Sequence, residues 1–143
     1  MSPSEIPEAR RQRVREEAGD RCGYCQSPQR YTMGMLELEH IIPRARGGSD
    51  DESNLWLACS LCNRYKGSQV TAIDSLTNAT VTLFNPRSQI WNAHFCWSPE
   101  GVYILGLTPT GRATVEALRL NNELAVEVRR NWMLAGWHPP EMP

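Results

Sequence analysis

The sequence predicts an α+β chain in two parts: a cysteine-flanked part over residues 1–68 and a β-hairpin plus two-helix part over residues 69–143. Three observations carry this expectation. Two Cys-x-x-Cys pairs, Cys22/Cys25 and Cys59/Cys62, bracket most of the first part. Between them a β-prone run of Leu36, Leu38, Ile41 and Ile42 is stopped by Pro43 and the Gly47-Gly48 pair. After residue 68 the composition changes, and "TVTLF" alternates as a strand does.

The elements follow in order. Residues 7–18 are rich in Glu, Arg and Ala and read as a helix, with Gly19 suited to its C-terminal stop. "CGYC" is a tight knuckle. Residues 35–42 read as a strand and 43–53, "PRARGGSDDES", as a polar loop. "NLWLACSLCNRYKG" is ambiguous at its start and helical from about Ser60 to Tyr65. In the second part, "HFCWSPEGVYILGLT" reads as a hairpin, because Ser98-Pro99-Glu100-Gly101 places Pro second and Gly fourth in a turn. Thr108-Pro109 resembles a capped helix start, which predicts helices over 110–120 and 122–135. In the second of these Leu124, Ala125, Val128 and Trp132 fall on one face and are expected in the core. Trp91, Phe95 and Trp97 are expected there too.

Composition narrows the class. At 143 residues, one domain with a modest second lobe is the default. Hydrophobics at 41% and charged residues at 22% are those of a globular chain. No apolar run approaches the roughly 20 residues of a membrane span. The opening stretch lacks the apolar core of a secretory leader, so the expected location is the cytoplasm. A net charge of -1 gives no bulk attraction to nucleic acid, yet arginines cluster locally at 10–15, 44–46 and 64.

Five cysteines, an odd number, argue against a disulfide framework. Two Cys-x-x-Cys pairs can instead supply four thiolates to one tetrahedral Zn²⁺. The 33 residues between Cys25 and Cys59 exceed the interval of a compact finger, so the ion would clamp a substantial insert. The competing readings are four unconnected reduced cysteines or a redox pair. Cys96, without a partner, reads as a small core residue.

That insert places Glu39 beside His40 at the end of the expected strand. Asn54 follows by 14 residues, and Asn63 sits directly after the fourth cysteine. Side chains of adjacent helical residues point about 100° apart, so Cys62 and Asn63 would serve different sides of one helix. Asn63 and Lys66 would share a face. Taken alone, the Glu-His pair fits a half-buried strand before a turn as well as a catalytic pair.

As a spaced set, Glu39-His40-Ile41-Ile42-Pro43, Gly47-Gly48, Asn54-Leu55 and Cys59-x-x-Cys62-Asn63-x-x-Lys66-Gly67 resembles the HNH endonucleases of the ββα-metal class, over roughly residues 12–68. The resemblance implies that His40 is the general base activating water. It implies that Glu39 and Asn63 hold a catalytic divalent cation and that Asn54 holds the loop and orients the base. The four cysteines match zinc-binding pairs found in many members. Glu39 stands where many members have Asp. A neutral amide oxygen at position 63 suits Mg²⁺ or Mn²⁺ better than Zn²⁺. An imidazole can accept a proton near neutral pH, and one hard cation can stabilise the charge developing in phosphodiester hydrolysis. Arg44, Arg46, Arg64 and Lys66 are the candidates for phosphate contact, with double-stranded DNA the expected substrate.

"TLFNPR", "HFCW" and "GLTPTGRATVEAL" resemble a tail carried by many bacterial HNH proteins, which implies a family and no particular role. His94 and His138 read as structural. Arg87 and Arg112 fit either a nucleic-acid surface or a dimer contact. Two functions from different classes follow: a metal-dependent nuclease, or a zinc-stabilised nucleic-acid-binding module whose catalytic site is vestigial.

Overall fold

The computed structural model describes residues 6–140. It is a mixed α/β structure of three separate antiparallel strand pairs and five helices. The chain forms two compact units. Unit 1 runs up to Val70 and takes in Asn85–Ser88; unit 2 comprises Thr71–Phe84 and everything from Gln89 onward.

In unit 1, helix α1 (Glu8–Glu17) is followed by the knuckle at Cys22–Cys25, strand β1 (Glu37–His40), strand β2 (Leu55–Ala58) and helix α2 (Ser60–Lys66). Gly19, at φ +64, terminates α1 in the left-handed region. β1 and β2 are antiparallel, with Leu38 opposite Leu57 and His40 opposite Leu55. The strand expected over 35–42 is thus confined to four residues. Beyond His40 the chain leaves the ladder through a turn over Arg44–Arg46 and Gly47, at φ +84. Ile6, Val14 and Leu55 form one hydrophobic cluster of this unit, with Leu38 against it, and Tyr24, Leu36, Leu57 and Ala58 are buried as well. Glycine at 23 lets the knuckle lie on β2: a Cβ there would meet the Trp56 ring at 2.4 Å. The Asn85–Ser88 segment closes over the same place. Arg87 lies 5.0 Å from the Trp56 ring centre and donates to the Leu55 carbonyl and to Glu17.

In unit 2, β3 (Thr71–Ile73) pairs with β4 (Thr80–Thr82), a hairpin whose first strand the sequence reading did not foresee. The turn between them is built on Asp74, which accepts from Thr77 and from Arg112. A short helix α3 (Trp91–His94) leads into the hairpin of β5 (Phe95–Trp97) and β6 (Ile104–Gly106), closed by the expected turn, with Gly101 at φ +77. Helices α4 (Pro109–Ala117) and α5 (Glu123–Ala135) follow. Thr108 caps α4 through Gly111 N and Asn122 caps α5 through Ala125 N. Phe84, Trp91, Phe95, Ile104, Leu118 and Trp132 are buried.

The face α5 buries differs from the expected one. Val126, Arg129 and Trp132 point inward while Leu124 is 62% exposed. The Arg129 guanidinium donates to the carbonyls of Val102 and Leu120 and to the Asn121 side chain. A periodicity count of apolar residues reads such an arginine as surface, which rotates the inferred face. Arg87 and Arg112 also take intramolecular partners within their own units.

Candidate active site and metal centre

The four cysteines of the two pairs converge. Their sulfurs all lie within 4.8 Å of one another, and Cys25 Sγ and Cys59 Sγ are 3.7 Å apart. Four sulfurs at about 2.3 Å from a tetrahedral zinc are about 3.8 Å from each other, whereas a disulfide needs about 2.05 Å. Local structure builds this arrangement. Gln26 N donates to Cys22 O, and Gln26, at φ +66, turns the knuckle so that both cysteines face inward. Cys59 is the N-cap of α2, its sulfur accepting from Cys62 N. Cys22, Cys25 and Cys62 are buried. Burial pushes the Cys22 thiol well above its ordinary range, so thiolates packed this closely call for a cation. The residues fit a structural zinc, and Cys96 lies outside the cluster.

His40, the last residue of β1, is bonded through Nε2 to Asp50 Oδ1 at 2.8 Å. Arg44 grips the same carboxylate with Nε and Nη2, at 2.7 to 2.9 Å. Hydrogen bonds from His40 and Arg44 hold the Asp50 carboxyl below the usual carboxylate range. Asn54 staples the loop. Its amide nitrogen donates to the carbonyls of Ile42 and Ser49, and its oxygen accepts from Ile42 N. Gly48 permits this closure, since a Cβ there would sit 1.6 Å from the Ile42 carbonyl oxygen.

Glu39 faces the other way, into the interior, and is 2% exposed. One oxygen pairs with Lys66 Nζ at 2.7 Å and the other accepts from the Tyr24 hydroxyl at 2.7 Å. Burial pushes its carboxyl up, against the pull of the Lys66 ammonium and the Tyr24 bond. Lys66 also donates to the carbonyls of His40 and Ile41. The phosphate contact expected of Lys66 meets a different placement: the ammonium is sealed under the strand end. Three helical positions place Lys66 about 60° around α2 from Asn63, enough for one to face inward and the other outward.

Asn63 lies in an open groove of about 490 Å³ lined by Arg11, Arg15, Glu37, Leu38, His40 and neighbours. Its amide nitrogen donates to Glu37 Oε1 at 2.8 Å. The groove thus brings His40 and Asn63 together and adds Glu37, which the sequence reading did not single out. It leaves Glu39 beneath the surface. The remaining expected phosphate contacts differ among themselves. Arg44 is committed to Asp50, Arg46 donates to the Ser68 carbonyl, and Arg64 is exposed without a hydrogen bond or ion pair to the described residues. Arg11 and Arg15, on α1, are the cations that line the groove, and each also donates to a backbone carbonyl, Arg11 to Ile6 and Arg15 to Leu36.

Compared with known families, residues 22–69 match the model described as HNH endonuclease. Neither the curated proteins nor the solved structures yield a match. No helix among the described residues is long and apolar enough to cross a membrane.

Proposed function

We propose, from the match of residues 22–69 to the HNH endonuclease family, that the chain is a metal-dependent endonuclease hydrolysing phosphodiester bonds, most readily those of double-stranded DNA, with a ββα-metal core set on a structural zinc. The observation that carries this reading is the groove that holds His40 and Asn63 together. His40 is the base. Its Nδ1 takes a proton from water as the water oxygen bonds to phosphorus, the bond to the leaving oxygen breaks, and that oxygen is protonated from solvent. Asn54 keeps the base in place by closing the loop that follows it.

A divalent cation such as Mg²⁺ or Mn²⁺ at the groove would neutralise charge on the phosphoryl and leaving oxygens. Among the expected ligands, Asn63 is presented there. Both oxygens of Glu39 are engaged, so Glu39 could serve only with Lys66 and Tyr24 displaced. Glu37, in contact with Asn63, is the carboxylate the groove presents. Arg11 and Arg15 are suited to hold flanking phosphates, and Arg64 extends the same role to the surface of α2.

The sealed state of Glu39 also favours a second reading, a binding module whose catalytic site is vestigial. Zinc-loaded protein with Mg²⁺ or Mn²⁺, offered double-stranded DNA, single-stranded DNA and RNA, separates the two. The nuclease reading expects cleavage, fastest on duplex DNA. Binding with no cleavage of any of the three supports the vestigial site instead.

A further inference from the structure

Asp50 is the one charged partner of His40 that no motif points to, and its own position is unusually constrained. Arg10 donates to its backbone carbonyl at 2.8 Å, Asn54 pins the carbonyl of the preceding Ser49, and Arg44 forks its carboxylate. A group fixed from three sides can fix another in turn.

We propose that Asp50 is the positioning residue for the base: it holds His40 as the Nε2–H tautomer and leaves Nδ1 as the nitrogen that accepts the proton. This rests on the nuclease reading and names how the base of that site is set. A carboxylate can only accept a hydrogen bond, so Nε2, 2.8 Å from Asp50 Oδ1, must be the donor. The contacts from Arg44 Nε and Nη2 keep the carboxylate ionised and fixed in place. Nδ1 takes no hydrogen bond from the described residues, and His40 lines the groove. Without Asp50 a neutral imidazole could place its proton on either nitrogen, and ring rotation would carry the accepting atom off line.

The alternative is that Asp50 only anchors the loop, with Arg44 as its true partner. Histidine labelled with ¹⁵N separates the two, because each tautomer gives its own pattern of ring nitrogen shifts. The protein has three histidines, and the signal lost in His40→Ala assigns the relevant one. At mildly alkaline pH the wild type should show His40 as Nε2–H. Asp50→Asn should mix the tautomers and lower kcat by about 10- to 100-fold, a loss like that seen when a metal-bound histidine loses its orienting partner, with KM and zinc content little changed. Asp50→Glu should restore part of kcat. Arg44→Gln should keep the tautomer and cost less. The proposal is overturned if the tautomer survives in Asp50→Asn, if the loss falls on KM alone, or if Arg44→Gln equals Asp50→Asn in kcat. If the wild type cuts no substrate, the nuclease reading fails on that ground, and the tautomer measurement still decides whether Asp50 sets His40.

Discussion

Unit 1 buries Glu39, Lys66 and Asn54 beside four cysteines, around an apolar cluster of Ile6, Val14 and Leu55. Unit 2 buries Phe84, Trp91, Phe95 and Trp132, with Phe84 and Phe95 edge-to-face at 5.1 Å and Trp91 and Phe95 at 5.2 Å. Unit 1 gathers four cysteines at a candidate zinc position, whereas unit 2 packs aromatic rings around buried polar groups of its own, among them Asp74, Thr114 and Arg129. The difference teaches where the chemistry can sit. The groove lined by His40, Asn63 and Glu37 lies wholly within unit 1. A zinc ion held by the four cysteines would add to the apolar burial of unit 1, since such sites supply roughly 10–16 kcal/mol of apparent free energy in small metal-dependent folds.

Removing the zinc should break this comparison most sharply. Cys22→Ser, Cys59→Ser or a strong chelator should unfold unit 1 and leave the hairpins and helices of unit 2 ordered. The indoles report it residue by residue: Trp56 belongs to unit 1, and Trp91, Trp97, Trp132 and Trp137 belong to unit 2. Loss of all five signals together would mean that unit 2 depends on the metal as well. A folded protein containing no zinc would remove the metal centre from the account.

The next effect contrasts the two acid–base pairs. Lys66 and Glu39 are nearly inaccessible, so Lys66→Met would strand a buried carboxylate and should cost about 3–5 kcal/mol of unit 1 stability. Adding Glu39→Gln should recover much of that loss, as denaturant unfolding can measure. In unit 2, the Arg112 guanidinium holds the Asp74 carboxyl well below the usual carboxylate range. A depressed folded value means the contribution is present above the unfolded value of about 3.9 and is lost as pH falls toward the folded one. Asp74→Asn should therefore flatten the acid side of the unit 2 stability profile below about pH 4. An unchanged profile would show that the pair adds nothing to folding.

A smaller effect sharpens the reading of unit 1. Glu37→Gln should move a Mn²⁺ titration, followed by electron paramagnetic resonance, to higher concentration. Glu39→Gln should act chiefly on stability. The reverse order would return the cation to Glu39 and require Lys66 to release it.

Much of unit 1 was legible because its determinants are spaced residues of distinctive chemistry. The cysteine pairs, the His40 strand end, the Asn54 staple and the Gly47-Gly48 turn each leave a mark in sequence. The caps at Thr108 and Asn122 and the Ser98–Gly101 turn are equally local. Partner choice was not legible. Asp50, Asp51 and Glu52 stand in one polar run, and only the closed loop brings the first of them to His40. Glu37 and Glu39 are equivalent in a two-residue repeat, yet one ends at the groove and the other under Lys66, because α2 covers the strand unevenly. Lys66 was expected to contact phosphate, and Arg129 carried no mark in the sequence; backbone carbonyls at strand and helix ends gave both a buried seat. The return of Asn85–Ser88 to unit 1 is a long-range contact that no local pattern encodes.

On the proposed function His40 is the base of a nuclease. The most direct measurement compares wild type and His40→Ala, both zinc-loaded, for nicking of supercoiled plasmid in Mg²⁺ or Mn²⁺ and for DNA affinity. A base acts in the chemical step, so His40→Ala should lose nicking by at least about 100-fold with affinity and zinc content nearly unchanged. Nicking by His40→Ala at a rate near that of wild type would contradict it.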